Sequence, residues 1–189
     1  SSIVILSNFI LPKSQWLQTI PHSFSSMFYY HNWQLANEAV DYLAQNNEAS
    51  PFQHFWALSL QGQFYILWPI VIIIAVFLAT RLFKTPIRKT ILSLLLILFT
   101  LSLTYSIYVT IINQPWAYFD TFARLWEFSL GGILALLLAY ISINKTLSLI
   151  LGWLGVSIIA FTGIILPVST LFTGFAALLH TFGVILVII

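Results

Sequence analysis

The chain has 189 residues, of which 60% are hydrophobic and 6% charged, with a net charge of +2. Soluble domains carry about a quarter charged residues, so the composition excludes an ordinary soluble protein and indicates an integral membrane one. The absence of cysteine removes disulfides and thiolate catalysis, and no basic and aromatic pattern suggests a nucleic-acid partner.

Ser1 to Leu11 is apolar but too short to cross a bilayer, and the chain does not begin with Met. The expectation is one membrane domain over residues 1–189, incomplete at both ends and central in a longer protein. Residues 13–49 form a long polar connection whose Phe28, Tyr29, Tyr30 and Trp33 suit the membrane interface, with a short interfacial helix expected over Glu38 to Gln45. His22 and His31 lie in this stretch with no carboxylate at ligand spacing, so they read as solvated.

A helix should then open at Ser50, with Pro51 at its first position and Gln53 in a capping box. At 100° per residue, His54, Gln61 and Tyr65 fall within about 40° of one another. Gln63 points the opposite way. Pro69 has no N–H for the Tyr65 carbonyl and predicts a kink. The polar face reads either as a site or as an interfacial belt, and Trp56 and Trp68 read first as packing or anchoring residues.

Spans are expected at Phe64 to Thr80, Ile91 to Ile112, Phe122 to Ile143 and Leu147 to Leu166, with a truncated one from Phe175 to Ile189. The fold class is therefore all-α, a polytopic transmembrane bundle of about four complete spans plus two truncated ones. Arg81, Lys84, Arg88 and Lys89 share one short loop, which places residues 81–90 on the cytoplasmic side and residues 13–55 outside. Short external loops follow at Asn113 to Asp120 and Pro167 to Gly174. Asn144-Lys145-Thr146 matches a glycosylation sequon but falls on the cytoplasmic side.

Between these loops, Asp120 can cap a helix on which Arg124 and Glu127 are three residues apart. Gly131, Ala135 and Ala139 continue a small-residue stripe that would let another helix approach. Ionisable groups at this depth are functional candidates. The alternative is a structural ion pair locking two helices. His180 sits in an apolar helix, where a core role and a functional one are both open. No metal, phosphate-loop or nucleophile-elbow pattern is present.

Two blocks together resemble the membrane acyltransferase family 3, which contains bacterial enzymes that O-acetylate exported glycans, peptidoglycan among them. The first resembles His-x-Trp-Ser-Leu-Ser-x-Glu-x-Gln-Phe-Tyr-x-x-Trp-Pro at His54, Trp56, Leu58, Ser59, Gln63, Phe64, Tyr65, Trp68 and Pro69. The second resembles Arg-x-Trp-Glu-x-x-x-Gly at Arg124, Trp126, Glu127 and Gly131. A weaker echo is Phe172-Thr173-Gly174. The family's Ser is Ala57 here, and its paired glutamates are Gln61 and Gly62.

The resemblance implies a membrane-bound transferase that moves an acyl group, by expectation acetyl, from acyl-CoA to a hydroxyl of an exported glycan or glycolipid. It places the protein in the bacterial cytoplasmic membrane and uses acyl-CoA as a donor substrate, with no bound cofactor or metal. Glu127 and Arg124 are then the catalytic candidates. His54, Trp56, Gln61, Gln63 and Tyr65 are the candidates for binding the sugar. The family's acyl-transfer histidine is expected upstream of Ser1, so this piece alone is not expected to turn over. The readings kept beside it are a transporter or flippase for a lipid-linked glycan and an inactive fragment of the acyltransferase.

Overall fold

A computed structural model describes residues 13–42, 52, 54–165 and 175–189. In chain order the helices are α1 (Lys13–Met27), α2 (His31–Tyr42), α3 (Phe55–Phe77), α4 (Ile87–Ile112), α5 (Gln114–Phe119), α6 (Thr121–Leu138), α7 (Lys145–Ile165) and α8 (Phe175–Ile188). Among the described residues, four segments are long and apolar enough to span: Phe55–Phe83, Ile87–Ile112, Thr121–Leu138 and Lys145–Ile164. The all-α, polytopic fold class read from the sequence is what the structure has, and α8 is the shorter apolar helix. Ser50, Pro51, Gln53, the N-terminal apolar piece and the Phe172-Thr173-Gly174 echo lie outside the described residues.

The chain divides into two compact units. The first contains α1, α2, α3 as far as Val71 and residues 119–121. Here the structure corrects the expected loop with one short helix, because residues 13–42 form two helices joined by a three-residue turn. The end of α1 explains the turn. Tyr30 N–H donates to Ser25 O (3.0 Å) and Tyr29 N–H to Ser26 O (3.4 Å), the two backbone bonds of a helix stop that needs one left-handed residue. That residue is Tyr29, at φ 59°. Glycine fits there without strain, whereas a side chain costs about 1 kcal/mol or more.

His22 and His31 are a second correction: both are buried. His22 Nε2 meets Glu38 Oε1 at 2.9 Å, His31 Nδ1 meets Ser25 Oγ at 2.8 Å, and the two rings pack edge to face at 5.1 Å. The carboxylate that sequence spacing did not supply comes from α2, sixteen residues on, because the hairpin folds α2 back along α1. Burial and the neighbouring His22 lower the His31 pKa to about 4. Burial would raise that of Glu38, but hydrogen bonds from His22 and Gln34 outweigh it and hold the carboxyl below its ordinary value.

The second unit contains the rest of α3, α4, α5, α6 from Phe122, α7 and α8. α3 is helical through Pro69 and ends in a wider π-helical turn at Leu78–Phe83, closed by Lys84 in the left-handed region at φ 50°. Arg88 reaches across to donate to Leu136 O and stacks 4.3 Å over the Tyr140 ring. One of the topology-setting cations thus satisfies a carbonyl in the last turn of α6. α6 stops at Leu138, five residues before the expected Ile143, because residues 139–144 leave the helix and Asn144 caps α7. Asn144 Oδ1 accepts from Leu147 N–H at 2.8 Å, so the sequon asparagine is a helix cap.

α7 and α8 pack closely. The contact is made by glycines: a Cβ on Gly155 would stand 2.5 Å from Gly183 O, and one on Gly183 would stand 3.1 Å from Gly155 O. In contrast, Gly131 has open space around it. The expected close approach falls one residue along, where a Cβ on Gly132 would meet Leu95 Cδ1 of α4 at 3.0 Å.

Candidate functional site

Within the first unit, α3 carries the motif residues on opposite sides, as its periodicity predicts. Gln61 Nε2 donates to Tyr65 Oη at 2.7 Å on the exposed side. His54 is exposed in the turn just before α3, so it precedes the helix and does not lie on it. Trp56 is half-buried, with its ring at 90° to Phe119 and 5.4 Å away, which gives it a packing contact. Phe64 is buried against Trp68.

Gln63 faces inward and closes a ring of three side chains. Its Nε2 donates to Asn32 Oδ1 (2.8 Å), Asn32 Nδ2 donates to Thr121 Oγ1 (3.0 Å), and Thr121 Oγ1 donates to Gln63 Oε1 (2.6 Å). Each member gives one proton and receives one. The remaining amide protons go to backbone carbonyls, Gln63 to Tyr29 O at 2.7 Å and Asn32 to Phe119 O at 3.1 Å. A ring so satisfied fixes both amide orientations. Gln63, expected to bind the sugar, is therefore a structural node here. Asn32 and Thr121 were not visible as site residues in the sequence, since they lie 31 and 58 residues from Gln63.

Beside this node is an open groove of about 580 Å³, lined by Phe28, Tyr29, Leu58, Gln61 and Tyr65 among others. The Tyr29 ring lies directly on Gly62, where an added Cβ would overlap it, 2.7 Å from Cε1 and 2.9 Å from Cγ. The departure from the family's paired glutamates therefore has a local partner. The bare backbone at 62 admits an aromatic ring.

Within the second unit, Arg124 and Glu127 meet at 3.3 Å, as their spacing predicts. Arg124 Nε also donates to Tyr118 O at 3.0 Å, and the guanidinium lies 5.2 Å from the Tyr118 ring centre. Trp126, next to Glu127, is buried with its ring against Phe99. Ser102 of α4 donates to Phe122 O (2.6 Å) and accepts from Trp126 N–H (2.8 Å). These two backbone groups are four residues apart in α6, so the hydroxyl sits at the helix turn that contains Arg124 and leads into Glu127. His180 of α8 is close enough to act electrostatically on Glu127. The arrangement can hold an anionic group or a developing negative charge beside a carboxylate. Among the described residues no group of three or more His, Cys, Asp or Glu is placed to hold a metal ion.

Four segments long and apolar enough to span, two of them carrying the motif blocks, indicate a multi-pass membrane protein. Its relatives are named O-acetyltransferases. The chain is 30% identical over 146 residues to O-acetyltransferase OatA of Staphylococcus aureus, covering 77% of the chain and 23% of OatA. It is 28% identical over 112 residues to a Bacillus subtilis protein provisionally named peptidoglycan O-acetyltransferase YrhL, covering 59% of the chain and 17% of that protein. A further S. aureus protein, provisionally named an O-acetyltransferase, is 29% identical over 132 residues, 68% of the chain and 20% of its own length. The chain is thus homologous to a segment of proteins named O-acetyltransferases, in keeping with the resemblance that the motifs carry. It spans less than a quarter of the length of the curated relatives it matches. No family model and no solved structure matches it.

Proposed function

We propose that this segment belongs to a bacterial plasma-membrane enzyme that moves an acetyl group from acetyl-CoA to a hydroxyl of an exported glycan, peptidoglycan being the favoured acceptor. The observation that carries the reading is the Arg124–Glu127 pair, anchored by Tyr118, with Arg124 inside the turn that Ser102 holds and Glu127 directly after it. The relatives' names support it.

In the reaction the thioester C–S bond breaks and an ester C–O bond forms. The acceptor hydroxyl loses its proton to a base, and the CoA thiolate takes one up. The resemblance assigns that base to a histidine in a helix before Ser1. Arg124 holds the negative charge of the donor or of the tetrahedral intermediate, and Glu127 orients the guanidinium or the acceptor. Gln61 and Tyr65, with His54 at the helix entrance, face the acceptor.

The test is Glu127→Gln in the full-length protein, assayed for transfer of radiolabelled acetyl into cell-envelope glycan. The isosteric amide keeps the packing and removes the charge, so transfer should fall by about two orders of magnitude or more with the protein still in the membrane. Wild-type turnover would refute the assignment. No transfer by the unmodified enzyme would favour transport of a lipid-linked glycan instead.

A further inference from the structure

We infer that Tyr29 is a sugar-binding residue: its ring, seated on Gly62, is the platform on which one pyranose of the acceptor glycan stacks. The inference rests on the acetyltransferase reading for the identity of the acceptor, and on four features of the first unit for the site.

The left-handed position that ends α1 suits glycine, and tyrosine occupies it at φ 59°. The helix stop alone gives no reason for an aromatic side chain there. The residue is also held at both ends. Gln63 Nε2 donates to its carbonyl at 2.7 Å, and its ring rests against the bare backbone of Gly62. Despite being held, the ring is 52% exposed, so it is fixed in place without being part of the core. A strained residue whose side chain is pre-positioned yet open is a mark of a binding site.

The groove beside the ring indicates the ligand. Its lining, among the described residues, contains aromatic and aliphatic surface from Phe28, Tyr29, Leu58 and Tyr65 with the amide of Gln61, and no Lys, Arg, Asp or Glu. An anionic headgroup would call for a cation, and an acyl chain has no use for the amide. A pyranose presents a flat C–H face and a rim of hydroxyls, which match an aromatic ring and an amide. Tyr65 Oη accepts from Gln61 Nε2, so its own O–H points onward as a donor, and Gln61 keeps its carbonyl as an acceptor. The groove volume of about 580 Å³ accommodates a short saccharide segment.

The probe is an uncharged β-1,4-linked N-acetylglucosamine tetrasaccharide, titrated calorimetrically against the full-length protein in nanodiscs. Tyr29→Gly removes the ring while suiting the left-handed backbone, and it should weaken binding about tenfold. Tyr29→Phe should bind like the unmodified protein. Gly62→Ala, with Tyr29 chemically intact, should weaken binding as Tyr29→Gly does, and the double variant should be no weaker than either.

Unchanged affinity in Tyr29→Gly overturns the inference, as does failure of the unmodified protein to bind the tetrasaccharide. If both Tyr29 variants lose binding together with thermal stability, the ring is structural and the inference also falls. In acetyl-transfer assays the loss should appear as a raised acceptor KM at unchanged kcat and donor KM. Binding that depends on Tyr29 in an enzyme that transfers no acetyl would leave the platform standing and refute the acetyltransferase reading.

Discussion

Gln63, Asn32 and Thr121 pass one proton each around a closed ring, and removing any member strands the other two. Asn32 and Thr121 are both buried, so neither regains water when Gln63 is lost. Gln63→Leu should therefore lower stability by about 2 kcal/mol, read as a drop in melting temperature in detergent micelles. Gln63→Glu should do no better, because its carboxylate would face Tyr29 O and Asn32 Oδ1, where an amide donor is required. Helical periodicity already put Gln63 opposite Gln61 and Tyr65. It could not say what stood on that side, since hydrogen-bond partners from distant elements leave no local spacing. The same limit hid Ser102, one of three serines in an apolar span, and the pairing of His22 with Glu38.

At the scale of elements, the α1–α2 hairpin should be acid-sensitive. His31 has a free-chain pKa of 6.5 and a folded one of about 4, so between those values the unfolded segment binds more protons than the folded one. Glu38, held below its ordinary value when folded, acts in the same direction at lower pH. Stability thus rises with pH across this window, and it is lost on acidification from about 6.5 towards 4, by on the order of 2–3 kcal/mol for His31. Hydrogen exchange over residues 13–42 should quicken accordingly, and His31→Gln should flatten the response above pH 5.

The α7–α8 pair offers a second element-scale test. Gly155→Leu would push a side chain into Gly183 O and should lower stability by about 1–3 kcal/mol, whereas Gly163→Leu, into open space, should not. The spans themselves were legible from hydropathy because lipid demands long apolar runs. The glycine contact was not singled out, and the stripe that was singled out, at Gly131, lies one residue from where α4 approaches.

For the whole molecule, the basic residues give an orientation that the absence of cysteine makes easy to check. Any single introduced thiol is the only one within these 189 residues, and labelling is read against the unsubstituted protein. Lys84→Cys should react with a membrane-impermeant maleimide only after permeabilisation, and Trp33→Cys should react in intact cells. The reverse pattern would invert the sides on which donor and acceptor are met. Lengths and types of the spans came from composition and periodicity. The pairing of the hairpin came only with the structure, because it depends on residues that meet across turns and not along one helix.

Ser102 connects these scales. Its hydroxyl touches two backbone groups of α6, Phe122 O and Trp126 N–H, in the turn that leads into Glu127, and it stands on a helix with no charged residue between Lys89 and the end of α4. The depth of the carboxylate is thereby indexed to the position of a neighbouring helix. α4 cannot slide along or turn about its own axis without drawing Phe122 and Trp126 with it or giving up both bonds. An insertion in the chain between Ser102 and Phe122 would pass every hydropathy test and still have to loop out. The hydroxyl acts as a register pin, and the length of the 102–122 connection is part of the site's geometry, with Tyr118, between its ends, meeting the charged pair through Arg124.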